Sequence, residues 1–120
     1  SSKASIHRFV SETFHYDLDR TPDQIRPTYR FDVTCSGSVP EAIVAFLHSN
    51  DYEHAVRLAV SLGGDSDTIA CMTGSIAEAF YNGVPETIRE QVFDRLDAHL
   101  KSMVRKFIER FPLQRTSQNE

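Results

Sequence analysis

Apolar residues recur at three- and four-residue spacings along most of the chain, which is the period of an amphipathic helix. The pattern predicts helices around residues 6–14, 38–47, 52–62, 68–81, 86–96 and 100–111. Convincing alternation of the strand type and internal repeats are both absent from the sequence. We therefore expect an all-α fold.

Several helix boundaries carry their own signals. Ser38, followed by Pro40 and Glu41, predicts a helix start, because a hydroxyl caps free amides and proline needs no donor in the first turn. Asp51 is expected to cap the next helix. That helix should end at Gly63, in a left-handed conformation.

The segment from His15 to Gly37 lacks helical periodicity and contains Pro22 and Pro27. We expect an ordered loop here, with a single helical turn at Pro22 to Ile25 and an extended piece around Tyr29 to Val33. By contrast, residues 68–81 are small or apolar on nearly every side, which predicts a helix in the middle of a bundle.

Composition narrows the class of protein. A chain of 120 residues is long enough for one hydrophobic core, and we assign residues 1–113 to one domain and residues 114–120 to a polar, disordered tail. A net charge of −4 argues against a nucleic-acid partner. No apolar run reaches the length of a membrane span. Cys35 and Cys71 lack metal-type spacing, so we expect reduced, buried thiols in a cytoplasmic protein.

The chemistry-bearing segment is the acidic loop at residues 63–68, GGDSDT. Asp65, Asp67 and the Thr68 hydroxyl offer only hard oxygen donors, which suit Mg²⁺, Mn²⁺ or Ca²⁺ better than zinc. Gly63 and Gly64 allow a sharp turn and a close approach to a ligand. The free amides of the following helix point back at the same loop.

Spacing alone leaves a second interpretation open, in which Asp67 caps the helix while Gly64 and Asp65 form a turn. Charge next to apolar helices is costly unless it is paired, which favours a cation. An EF-hand is excluded because the fifth, sixth and twelfth loop positions lack the required residues. A phosphotransferase Asp-x-Asp loop should follow a buried strand, whereas this loop follows a helical pattern. A Walker loop needs Gly-Lys-Ser/Thr, which the sequence lacks.

The run SLGGDSDTIACMTGSIAEAFYNGVPETI (residues 61–88) resembles the C-terminal signature of the ADP-ribosylglycohydrolase family. The preceding run YRFDVTCSGSVPEAIVAFLHSNDYEHAVRLAV (residues 29–60) is similar to the adjoining segment of bacterial members. The resemblance implies an orthogonal all-α bundle with two Mg²⁺ ions, or Mn²⁺, that hydrolyses the bond from ADP-ribose to a protein side chain or small acceptor.

The resemblance also assigns residues. Metal ligands are expected at Asp65, Asp67 and Thr68. Positions that shape or contact the ADP-ribose site are expected at Gly63, Gly64, Ser36, Gly37 and Ser38. Tyr81 is a further candidate contact, although an ordinary core aromatic is the commoner role for such a residue.

One departure from the family pattern matters most: the N-terminal half, with its Thr/Ser-Asp-Asp motif and the acid acting on the attacking water, is absent from this sequence. Two carboxylates also balance only half of the charge of two divalent ions. We therefore expect a companion N-terminal half or chain, with the general base outside this chain. The alternative is a non-catalytic module of the same fold that binds ADP-ribose or a protein partner.

Overall fold

The computed structural model describes residues 1–112, and every regular element in this part is a helix. The helices are α1 (Lys3–Phe14), α2 (Pro22–Ile25), α3 (Cys35–Leu47), α4 (Tyr52–Ser61), α5 (Ser66–Phe80), α6 (Glu86–Arg95) and α7 (Ala98–Arg110). The all-α prediction is confirmed, whereas the predicted tail at 114–120 lies outside the described residues. Within residues 1–112, no helix is long and apolar enough to cross a membrane.

The chain divides into two compact units, of which the first is Ser1–Tyr81. In this unit α3, α4 and α5 pack against one another in pairs. Phe46, Val44 and Ile69 are among its largest fully buried side chains. Thr73 is also fully buried, and its hydroxyl donates a hydrogen bond of 3.0 Å to the carbonyl of Ala42, which joins α5 to α3.

The second unit begins at Asn82 and contains α6 and α7. The carboxylate of Asp97 caps α7 by accepting a 2.8 Å hydrogen bond from the amide of Leu100. The Arg105 guanidinium lies 5.0 Å from the centre of the Phe93 ring. Neither helix contains a buried residue, so their predicted apolar stripes are exposed or half-buried.

Three local predictions, one for the segment before α3 and two for the ends of α4, are confirmed. The predicted turn at Pro22–Ile25 is α2, capped by the Thr21 side chain. Asp51 caps α4 by accepting a 2.7 Å hydrogen bond from the amide of His54. Gly63, just after α4, has the predicted left-handed conformation, with a φ of 78°. Each feature depends on neighbouring residues, which is why sequence rules were sufficient.

The predicted start of α3 at Ser38 is wrong, because the helix begins at Cys35 with Thr34 as its cap. The Thr34 hydroxyl accepts a hydrogen bond from the amide of Gly37 at 3.1 Å. The Asp32 carboxylate in turn accepts from the Thr34 amide at 2.8 Å. This paired cap stabilises an extra turn ahead of Pro40, which lies inside the helix and lacks an amide donor.

Burial of α5 differs from the expectation of a helix surrounded on all sides. Within the first unit α3 and α4 cover one face of α5, while Thr68, Cys71, Ser75 and Ala79 are exposed. The prediction of buried thiols is also wrong, because Cys35 lies in the first turn of α3 and both cysteines are exposed. Both are free thiols, as predicted.

Lys3 connects α1 to the C-terminal ends of α3 and α5. Its ammonium group donates to the carbonyls of Leu47, at 3.2 Å, and of Ser49. It also lies over the rings of Phe46 and Tyr81, at 5.1 and 5.5 Å from their centres. Tyr81 therefore packs at this end of the core, separated from the acidic loop by the whole of α5, about 22 Å at 1.5 Å per residue. A ligand contact by Tyr81 stays a prediction.

We predict that Lys3→Met lowers the free energy of unfolding by about 2 kcal/mol, because both the cation–π contacts and the hydrogen bonds to carbonyls are lost. Urea denaturation of the chain measures this change. Arg8→Met, at an exposed position on the same helix, is the matched control and should alter stability by less than about 0.5 kcal/mol. Equal effects of the two substitutions would contradict a special role for Lys3.

Candidate metal and ligand site

The acidic loop enters α5 through two consecutive left-handed residues. Gly63 and Gly64 have φ angles of 78° and 64°, a conformation that side chains with a Cβ disfavour. The helix then begins at Ser66, two residues before the predicted start, because the carbonyl of Asp65 already accepts from the amide of Ile69 at 3.0 Å. Both acids are therefore placed at the N-terminus of α5.

Capping by Asp67, the second interpretation of the sequence, is not what the structure contains. The capping position is occupied by Asp65, whose side chain makes no capping hydrogen bond. Asp67 lies in the first turn, where the positive end of the helix dipole favours a carboxylate. The backbone amide of Thr68 donates to Asp67 Oδ1 at 3.0 Å.

The two carboxyl groups lie close together. A hydrogen bond with the Asp65 carboxyl, and then the backbone amides of Thr68 and Asp67, hold the pKa of Asp67 below its ordinary value. Neighbouring ionised carboxylates repel each other, and a bound cation relieves that repulsion.

The residues fit a divalent ion in donor chemistry, although they do not complete its coordination. Asp65, Asp67 and Thr68 supply oxygen donors, the class that Mg²⁺ and Mn²⁺ prefer. Among residues 1–112, no group of three or more His, Cys, Asp or Glu side chains is arranged to hold a metal. The loop thus offers part of a site.

The other predicted contact segment, Ser36 to Ser38, lies in the first turns of α3. Ser36 is exposed, and its hydroxyl is 3.2 Å from that of Thr34. Ser38 is buried and donates to the carbonyl of Thr34 at 2.7 Å. Gly37 lies so close to the Asp32 carboxylate that a Cβ would overlap it. A ligand contact by these three residues stays a prediction.

Tyr29 joins the two predicted segments. Its hydroxyl donates to the carbonyl of Gly37 at 2.8 Å, and its ring occupies the space into which a Cβ on Gly64 would project. Burial, and then the negative charges of Glu41, Asp32 and Asp65, raise the pKa of the Tyr29 hydroxyl. The hydroxyl therefore stays protonated and remains a hydrogen-bond donor at neutral pH.

An open cleft of about 330 Å³ adjoins Tyr29, between the loop from Arg20 to Asp32 and the first turns of α3. Its wall contains an ion pair of 2.9 Å between Arg20 and the buried carboxylate of Glu41. Glu41 Oε2 is buried without a hydrogen-bond partner. Arg20 Nε also makes no hydrogen bond, although it lies 3.3 Å from a carboxylate oxygen of Asp17.

Sequence reasoning missed Tyr29 and the Arg20–Glu41 pair. It assigned Glu41 to the capping of a helix at Ser38, whereas Glu41 lies one turn further into α3 and contacts Arg20 instead. The available signal was a single acid in the otherwise apolar segment from Val39 to Leu47, since a charge in such a position needs a partner.

Comparison with known proteins identifies the family. The ADP-ribosylglycohydrolase family model matches residues 4–117. Relatives named ADP-ribosylhydrolase ARH3 include one from Mus musculus, 37% identical over 87 residues, or 60% of this chain and 24% of the relative. One from Homo sapiens is 35% identical over 85 residues, or 58% and 23%. One from Gallus gallus is 42% identical over 55 residues, or 37% and 15%.

The chain belongs to the ADP-ribosylglycohydrolase family. It spans about a quarter of the length of the mouse and human relatives that it matches. No solved structure gave a significant match.

Two adjacent glycines provide a matched test of the loop geometry. Gly64→Ala should lower the free energy of unfolding by about 3 kcal/mol, because a left-handed alanine is strained and its methyl group collides with the Tyr29 ring. Gly63→Ala has the backbone strain alone, since a Cβ there meets no atom within 4 Å, and should cost about 1 kcal/mol. Urea denaturation measures both, and equal losses would contradict the Tyr29 contact.

The Arg20–Glu41 pair generates a second prediction. Arg20→Met should destabilise the fold by about 3 kcal/mol, because it leaves the buried Glu41 carboxylate uncompensated. Arg57→Met removes an exposed pair with Glu53 on α4 and should cost less than about 0.5 kcal/mol. If thermal or urea unfolding gave the two variants the same stability, the Glu41 charge would have to be compensated by another group.

Proposed function

We propose that this chain is the C-terminal part of a divalent-metal-dependent hydrolase that removes ADP-ribose from a protein side chain or a small acceptor. Asp65, Asp67 and Thr68 bind the metal, and Gly63 and Gly64 shape the loop that faces the ligand. The observation that carries the proposal is the placement of Asp65 and Asp67 together at the N-terminus of α5, where the Asp65 side chain makes no capping hydrogen bond.

Family membership supports the reaction class, and the names of the relatives describe ADP-ribosylhydrolases. The α5 N-terminus adds an electrostatic argument. Its first backbone amides and the positive end of its dipole favour an anionic group, so the same loop suits both a metal-binding carboxylate and a ligand carrying phosphate.

Two Mg²⁺ or Mn²⁺ ions held by these residues would supply Lewis-acid chemistry: they would polarise the anomeric centre and lower the pKa of a bound water. The contribution of this chain is to hold two carboxylates and one hydroxyl at the loop. The half-buried Gly37 lines the adjoining cleft, and Ser36 and Ser38 are its neighbours in the first turns of α3. These three residues are the candidate contacts to ADP-ribose.

We further propose that a companion N-terminal half or chain completes the site. Asp65 and Asp67 bring at most two negative charges against the four positive charges of two ions, and no third acid of the described part lies with them. The relatives are about four times as long as the segment matched here, which leaves ample polypeptide for the missing ligands and for the general base.

The second candidate function is a non-catalytic module that binds ADP-ribose or a protein partner. The incomplete set of acids in residues 1–112 is the observation that favours it. The two candidates differ in one measurement on the complete natural polypeptide: an enzyme releases ADP-ribose from a modified peptide in the presence of Mg²⁺, whereas a binding module retains it unchanged.

Asp67→Ala in the complete natural polypeptide should weaken Mn²⁺ binding by more than about 100-fold, because it removes a direct ligand. It should also abolish the release of ADP-ribose. Calorimetric titration with Mn²⁺ measures the affinity, and the exposed Glu53 on α4 supplies the control variant Glu53→Ala. Unchanged Mn²⁺ affinity in Asp67→Ala would refute the metal assignment.

A further inference from the structure

Tyr29 packs directly against the acidic loop. Its ring packs against the backbone of Gly64, immediately before Asp65. The carbonyl of Arg30, the next residue along, would lie 3.1 Å from a Cβ on Gly64. The backbone next to Tyr29 therefore also lies close to the loop, on the side of Gly64 where another residue would have its Cβ.

Tyr29 is itself firmly anchored. Its backbone amide donates to the carbonyl of Ile25 at 2.9 Å, which ties it to the end of α2. Its ring packs against the buried core cluster, and its hydroxyl donates to Gly37 in α3. A residue with three such attachments provides a fixed surface for the loop.

We propose that Tyr29 is a positioning residue for the metal site, in that it sets the position of Asp65 and Asp67 through Gly64 without touching the metal. The inference rests on the proposed metal binding by Asp65, Asp67 and Thr68. Residues that orient metal ligands from behind typically contribute about 10- to 100-fold to metal affinity.

The chain offers a closely matched control. Tyr52, on α4, also lies against a glycine of the neighbouring helix, since a Cβ on Gly74 would be 3.3 Å from its hydroxyl. Gly74 lies in the middle of α5, more than one turn beyond the end of the acidic loop. Replacing Tyr52 therefore disturbs a similar contact with α5 without touching the loop.

The experiment compares Tyr29→Leu, Tyr29→Phe and Tyr52→Leu in the complete natural polypeptide. Calorimetric titration gives the Mn²⁺ affinity, and amide hydrogen exchange without metal reports the opening of residues 63–68. Tyr29→Leu should bind Mn²⁺ about 10- to 100-fold more weakly and exchange faster in the loop. Tyr29→Phe keeps the ring and should recover most of the affinity.

Tyr52→Leu should lower global stability while it leaves both the Mn²⁺ affinity and the exchange of residues 63–68 unchanged. The inference is overturned if Tyr29→Leu behaves as Tyr52→Leu does, or if the loop exchanges at the wild-type rate. Absence of Mn²⁺ binding in the wild type would instead refute the proposed function, and the hydrogen-exchange comparison would still test whether Tyr29 holds the loop.

Discussion

The left-handed turn at Gly63 and Gly64 is the constraint on which the site depends. It reverses the chain between α4 and α5 and brings Asp65 to the start of α5. The same turn lets the backbone approach the Tyr29 ring more closely than a residue with a Cβ would allow. The Tyr29 hydroxyl also donates a hydrogen bond to the carbonyl of Gly37, so Tyr29 links the acidic loop to α3.

The electrostatics of this region follow from that arrangement. Asp65 and Asp67 are close neighbours. The negative charges of Glu41, Asp32 and Asp65 all lie near enough to Tyr29 to raise its pKa. Each acid has a different compensation. Asp32 accepts two hydrogen bonds from Thr34, and Glu41 pairs with Arg20. The Asp65–Asp67 pair has no basic partner among the ion pairs of residues 1–112, which supports the cation proposed for it.

How far the sequence predicted this structure depended on the range of the interactions. The acidic loop, the Asp51 cap and the turn at Pro22–Ile25 are determined by adjacent residues, so spacing rules located them. The predicted start of α3 is wrong because the sequence has a capping pattern at Ser38, whereas Asp32 and Thr34 together cap the helix three residues earlier. Single-residue capping preferences do not describe such a pair of linked hydrogen bonds.

Contacts between distant residues were beyond those rules. Nothing in the periodicity pairs Arg20 with Glu41 or places Tyr29 against Gly64, because both contacts depend on the path of an irregular loop. The exposure of Cys71 had a similar origin. An apolar helix predicts burial on all sides, whereas the first unit supplies neighbours for one face of α5.

Anomalous diffraction at the manganese edge, from Mn²⁺-soaked crystals of the complete natural polypeptide, would locate the metal directly. We expect anomalous density at about 2.0–2.6 Å from oxygen atoms of Asp65, Asp67 and Thr68, the range for oxygen ligands of divalent ions. We also expect the remaining ligands to come from residues outside this chain. Manganese bound elsewhere, with the acidic loop free of density, would contradict the assignment of a metal site to this loop.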